Sequence, residues 1–144
     1  MTILPTLPVS ITLLSAIVAA AALVYLPFLV VAYGRVKVGY DMAAPRSLFD
    51  KLPAYAQRAT WAHQNAFETF LLFAVAALMA VVTGVEESIA AGAGLAFVVA
   101  RLFYPVFYIL NVPLGRSLMF AIGSASTATL FVLSLLHAYQ TTPP

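Results

Sequence analysis

The stretch RATWAHQNAFETFLLFAVAALMAVV, residues 58–82, begins with polar and charged side chains and continues as an apolar run. Residues 70–82 carry no charge. Together with the residues before it, this run supplies the roughly 20 predominantly apolar residues that a helix needs to cross a bilayer. Arg58, Asn65 and Glu68 are costly inside lipid unless they face a partner or water. The stretch therefore predicts a membrane helix with a polar face in its first half.

The composition of the whole chain agrees with a membrane location. Of 144 residues, 63% are hydrophobic and only 8% are charged, whereas charged residues approach a quarter of an ordinary soluble domain. A chain of this length has room for one domain. We therefore expect a single integral membrane domain over residues 1–144.

Several functional classes are excluded by the residue inventory. The chain has no cysteine, so it cannot form disulfides, thiolate nucleophiles or zinc–thiolate clusters. Its net charge of +2 comes from basic residues spread along the chain rather than from a patch that would bind nucleic acid. The two histidines, His63 and His137, do not indicate a metal site.

Hydropathy predicts an all-α membrane bundle of four helices. The apolar segments run approximately over 9–33, 54–83, 88–110 and 117–139. No basic segment precedes the first of them, so we interpret it as a retained span rather than a cleaved signal peptide. In the last span Gly123 and Thr127 are four residues apart, a spacing of small residues that lets helices approach closely.

The distribution of basic residues predicts the topology. Five of the seven lie in or next to the loop 34–53, namely Arg35, Lys37, Arg46, Lys51 and Arg58. The connection TGVEES at 83–88 has no lysine or arginine, and neither has either end of the chain. Because short loops rich in lysine and arginine stay in the cytoplasm, we expect this loop to be cytoplasmic and both termini to face outward.

Two spans carry polar faces. At 100° per residue, one arc of about 80° on the second span holds five side chains and has Thr69 at its edge. These five are Arg58, Trp61, Asn65, Glu68 and Leu72. His63 points away from them. On the third span one face carries Arg101, Tyr104, Tyr108 and Asn111.

These faces permit two interpretations. Glu68 and Arg101 are predicted at similar depths, so they could form a buried ion pair that only holds two helices in register. Alternatively, the donor-rich set binds a small anionic ligand that enters from the cytoplasm, since excess donors favour carboxylates or phosphates. The set comprises Arg35, Lys37, Arg46, Arg58, Asn65, Tyr104, Tyr108, Arg116 and Ser117. For Arg35, Lys37 and Lys51, anchoring of helix ends at lipid head groups is the simpler alternative.

The motifs RATWAHQNAFETF, RLFYPVFY and GRS resemble the MAPEG family, the membrane-associated proteins of eicosanoid and glutathione metabolism, and APRS at 44–47 is similar to its bacterial members. The resemblance implies a homotrimer of four-helix subunits, with glutathione bound between subunits near the cytoplasmic face. It assigns glutathione contacts to Asn65 and Glu68, and thiolate stabilisation to Arg116. The remaining site residues that it implies, or that lie beside these on the polar faces, are Arg35, Arg58, His63, Arg101, Tyr104, Tyr108 and Ser117.

Two positions depart from the family pattern. Trp61 stands where well-studied members carry an arginine, and Thr69 stands where a tyrosine often follows the glutamate. Arg58, one turn before Trp61 on the same face, is the candidate substitute for that arginine.

Glutathione explains the residue types. It carries two carboxylates, an ammonium group and a thiol, so its site needs guanidinium groups, an acid and a group that favours the thiolate. We assign the ammonium to Glu68 and the thiolate to Arg116, with Ser117 or Tyr104 donating a hydrogen bond. The sequence thus predicts a glutathione-dependent transferase or peroxidase that acts on hydrophobic electrophiles or lipid hydroperoxides in a bacterial inner membrane. A non-catalytic membrane binding protein on the same scaffold is the alternative.

Overall fold

The computed structural model describes residues 7–141, and these form helices joined by short connections. They are α1 (Val9–Val24), α2 (Leu26–Lys37), a 3₁₀ helix (Pro45–Lys51), α3 (Ala54–Thr83), α4 (Ser88–Ile109) and α5 (Pro113–Thr141). Four stretches are long and apolar enough to cross a membrane, with α1 and α2 together making the first. The predicted all-α bundle with four spans is confirmed. The ends of the chain, whose predicted sidedness rests on residues 1–6 and 142–144, lie outside the described residues.

The first span is longer than predicted and is interrupted. It runs to Lys37, and its helical path breaks at Tyr25, between α1 and α2. Pro27 explains the break, because proline has no N–H for the carbonyl four residues earlier and its ring clashes with that carbonyl. The Tyr25 N–H instead donates to the Ala22 carbonyl oxygen at 3.1 Å.

The last span begins earlier than predicted because of the turn that precedes it. α4 ends at Ile109 and α5 begins at Pro113, a first helical position at which proline is favoured. Asn111 was predicted on the polar face of the third span, but it lies in the turn with φ of 59°. Asparagine tolerates this left-handed conformation better than most residues. The Val112 N–H then donates to the Phe107 carbonyl oxygen at 2.8 Å and closes the helix end.

The apolar core lies on the side of the bundle where α3 connects to α4. Phe73 and Phe97 stack at its centre, with ring centroids 3.8 Å apart. Leu13 and Leu130 are fully buried around them, together with a run of alanines on α3 and α4. Because this half is filled by small and apolar side chains, the polar side chains of α3 and α4 are confined to the other half.

A close approach of α2 to α3 positions the polar half. A Cβ atom added at Gly34 would lie 2.6 Å from the Ala56 Cβ, so only glycine fits there. The contact brings Arg35, the next residue, beside α3. Outward from the bundle, large apolar side chains such as Leu71 and Val82 are exposed, as expected of a surface that faces lipid.

Candidate functional site

A cleft of about 560 Å³ lies between α2, the 3₁₀ helix and α3. Its polar lining consists of Arg35 from α2, Arg46 from the 3₁₀ helix, and Thr60, His63, Gln64 and Glu68 from α3. Two guanidinium groups therefore face one carboxylate. The cleft has an excess of positive charge and of hydrogen-bond donors.

Arg35 is poorly satisfied by the protein. Its Nε is buried and has no hydrogen-bond partner in the part of the chain that the structure describes. A buried donor left without an acceptor costs about 1–3 kcal/mol. Arg35 and Arg46 also border an adjoining hollow of about 400 Å³. This corner of the molecule is therefore suited to an anionic guest.

Glu68 is exposed to the cleft and makes no ion pair within residues 7–141. Arg101 instead donates through one terminal nitrogen to Asn65 Oδ1 and to Thr69 Oγ1, both at 3.0 Å. The interpretation of Glu68 and Arg101 as a buried ion pair is therefore wrong. Asn65 and Thr69 are four residues apart and share one row of the helix, whereas Glu68 points 100° away from Thr69.

Arg101 is enclosed within the subunit and is only 5% exposed. Its guanidinium carbon lies 4.7 Å from the centre of the Tyr104 ring and 5.5 Å from that of Phe97. Its Nε and second terminal nitrogen have no hydrogen-bond partner among the described residues. A Cβ atom at Gly123 would lie 2.8 Å from that second nitrogen. Gly123 thus provides space for the guanidinium group, and Arg101 does not line the cleft.

Three of the predicted site residues, Tyr104, Tyr108 and Arg116, form a second cluster on α4 and α5. The Tyr104 and Tyr108 rings meet edge to face, with centroids 5.6 Å apart. The Arg116 guanidinium carbon lies 4.8 Å from the centre of the Tyr108 ring. Ser117 follows Arg116 and is exposed in the first turns of α5. None of these four side chains lines the 560 Å³ cleft.

Arg58 and Trp61 have local partners. Arg58 Nε donates to the Ile109 carbonyl oxygen at 2.9 Å, where a cation also interacts favourably with the end of the α4 dipole. The Trp61 ring contacts Phe49 of the 3₁₀ helix, with centroids 5.7 Å apart. Arg58 therefore ties α3 to the last turn of α4, and Trp61 packs the 3₁₀ helix against α3.

His63 links α3 to the interrupted first span. Its Nδ1 lies 2.8 Å from the Val24 carbonyl oxygen, next to the break at Tyr25. The Phe28 and Phe67 rings pack around it at centroid distances of 5.2 and 5.1 Å. The ring also lines the cleft, although it lies off the polar face predicted for the second span.

Comparison with models of known protein families identifies the family of this chain. The model described as the MAPEG family matches residues 12–136, which is nearly the whole chain. The chain belongs to the MAPEG family. No curated protein and no solved structure matches it significantly. Membership and the four apolar spans make this an integral, multi-pass membrane protein. They also place it in a family of glutathione and eicosanoid metabolism whose members generally use glutathione.

The structure of this MAPEG protein divides the predicted residues into separate groups. It brings Arg35, His63 and Glu68 together in the cleft. Sequence reasoning counted Arg46 among the donors but did not assign it to the site, and it missed Thr60 and Gln64. Thr60, Gln64 and Glu68 are spaced four residues apart, so they follow one row of α3. That row was the signal that could have found them.

Proposed function

We propose that this MAPEG protein is a glutathione-dependent enzyme that conjugates hydrophobic electrophiles or reduces lipid hydroperoxides delivered through the membrane. The observation that carries the proposal is the cleft, in which Arg35, Arg46 and Glu68 face open space with no opposite charge bound to them among residues 7–141. Its volume of about 560 Å³ lies in the range of about 300–1,000 Å³ that is usual for small-molecule sites.

The charges of the cleft complement those of the tripeptide. Arg35 and Arg46 would each bind one of its two carboxylates through charge-assisted hydrogen bonds. Glu68 would accept from the ammonium group. Asn65 and Arg101 bind each other, so we assign them to holding α3 and α4 in place beside the ligand.

Assembly of a homotrimer would complete the site. The group formed by Tyr104, Tyr108, Arg116 and Ser117 lies on α4 and α5, outside the cleft of its own subunit. If glutathione lies between subunits, this group from one subunit faces the cleft of the next. Arg116 would then stabilise the thiolate, because a nearby cation lowers the pKa of a thiol. By the distribution of basic residues, we place this site near the cytoplasmic face of a bacterial inner membrane, with both termini outside.

A non-catalytic binding protein is the second candidate. Trp61 occupies the position of a family arginine and packs against Phe49 instead of supplying a charge. A cleft with fewer ligand contacts favours simple binding over catalysis, while Arg116 and Ser117 favour the enzyme.

Calorimetry with glutathione on the detergent-solubilised protein, followed by a chloro-dinitrobenzene conjugation assay, tests the proposal. We expect binding and turnover in the wild type. Glu68→Gln should weaken binding about 10- to 100-fold, because a hydrogen bond to a charged group contributes about 1.5–3 kcal/mol. Glu87→Gln, an exposed acid at the start of α4, is the matched control and should bind normally. Binding heat without turnover would favour the non-catalytic binding protein. Absence of both binding heat and turnover would reject the enzyme and the binding protein alike.

A further inference from the structure

His63 has a defined tautomer where it lines the cleft. Its Nδ1 lies 2.8 Å from the Val24 carbonyl oxygen. A carbonyl oxygen only accepts hydrogen bonds, so Nδ1 carries the proton in this contact. In a neutral imidazole the lone pair then belongs to Nε2. The backbone of the first span therefore fixes which nitrogen of His63 can act as a base.

The other ring nitrogen is accessible and unpaired. Nε2 makes no hydrogen bond within the described residues 7–141, and it is absent from the set of fully buried unpaired atoms there. The ring lines the cleft, and it is held on its other sides by Tyr25, Phe28 and Phe67 at centroid distances of 5.1–6.3 Å. A hydrogen-bonded and packed ring of this kind is the arrangement of an oriented base, in which a third group positions the proton acceptor.

The charged side chains that share the cleft with this ring fit the charged groups of glutathione and leave the thiol for His63. Arg35 comes from α2, Arg46 from the 3₁₀ helix and Glu68 from α3, while the Tyr25 ring at the break lies 6.3 Å from the imidazole, centroid to centroid. In the function proposed above, Arg35 and Arg46 bind the two carboxylates and Glu68 binds the ammonium group, so His63 is the remaining base among the side chains that line the cleft.

We propose that His63 is the general base that removes the thiol proton of glutathione in this cleft, an inference that rests on the function proposed above. The S–H bond breaks, the proton moves to Nε2, and the electron pair stays on sulfur. With chloro-dinitrobenzene, sulfur forms a bond to the ring carbon and chloride leaves with the electron pair of the C–Cl bond. The imidazolium then gives its proton to water. This role differs from that of Arg116, which stabilises the sulfur anion and accepts no proton.

The substitution His63→Asn separates the base from the structural contact, because an asparagine amide can still donate to the Val24 carbonyl. A free thiol with a pKa near 8.5 is only a few per cent ionised at pH 7, so loss of the base should lower kcat there by up to about 30-fold, and by less the more Arg116 lowers the pKa of the bound thiol. At pH 9 the thiol ionises in water, and the defect should shrink to below about 2-fold. The KM for glutathione should change little. His137→Asn, at the other end of the bundle, should behave as wild type at both pH values.

Two outcomes would overturn the inference. Wild-type rates for His63→Asn at pH 7 would show that no base is needed, and an equal loss at pH 7 and pH 9 would show a purely structural role. If the asparagine variant does not fold, His63→Ala is the alternative test. Added imidazole should then restore the rate of His63→Ala in proportion to the imidazole concentration. Failure of imidazole to restore the rate would also refute the role of His63 as the base. Absence of turnover in the wild type would instead count against the proposed function itself.

Discussion

Replacement of Gly123 by alanine should destabilise the bundle through Arg101, a residue on a different helix. The new Cβ atom would lie 2.8 Å from one terminal nitrogen of Arg101 and 3.2 Å from its Nε. Contacts this short force the guanidinium group to move, and it is enclosed by Phe97, Tyr104 and Phe120. The movement pulls its other terminal nitrogen away from Asn65 and Thr69, each now bonded at 3.0 Å.

The size of the effect follows from these two bonds. A hydrogen bond from a charged donor contributes about 1.5–3 kcal/mol, so loss or distortion of the pair should cost about 2–4 kcal/mol in the free energy of unfolding. For a chain of this size that corresponds to a fall in Tm of roughly 5–15 °C. The measurement is thermal unfolding of the purified protein in detergent, monitored by circular dichroism.

Gly92→Ala is the matched control. Gly92 is also within a helix, α4, but a Cβ atom there meets nothing within 4 Å, so alanine should stabilise by about 0.5–1 kcal/mol through backbone entropy. In a background carrying Arg101→Met, which removes the guanidinium group, Gly123→Ala should lose most of its cost. An unchanged Tm for Gly123→Ala, or an equal cost with and without Arg101, would refute the reasoning.

Two further predictions concern the C-terminal end of α4. Arg58→Ala should lower the free energy of unfolding by about 1.5–3 kcal/mol, because it removes the donor to the Ile109 carbonyl. Glutathione affinity measured by calorimetry should stay within about 2-fold of wild type, and a large loss of affinity would instead place Arg58 in the ligand site. Asn111→Gly should raise the free energy of unfolding by up to about 1 kcal/mol, because glycine adopts a φ of 59° without the steric cost of a side chain. A lower Tm in thermal unfolding would show that the Asn111 side chain contributes more stability than its backbone conformation costs.

The sequence by itself predicted the membrane bundle and the polar side chains within it. Transfer of apolar side chains into lipid depends on local composition, so the four spans could be read from hydropathy alone. Polar side chains within an apolar span are also a local signal, and they marked Asn65, Glu68 and Arg101 as unusual residues for a membrane interior. The break at Tyr25 had a local signal in Pro27, although the prediction did not include it.

Only the tertiary structure decided which of these polar groups meet. Helical periodicity placed Asn65 and Glu68 within one arc, but rotation of α3 about its axis turned Asn65 and Thr69 towards Arg101 and left Glu68 facing the cleft. That rotation is set by packing, by the Phe73–Phe97 stack and by the close approach of Gly34 to Ala56. These contacts join residues far apart in the chain. Hydropathy and spacing describe each helix separately, so they could not reveal how one helix is turned against another.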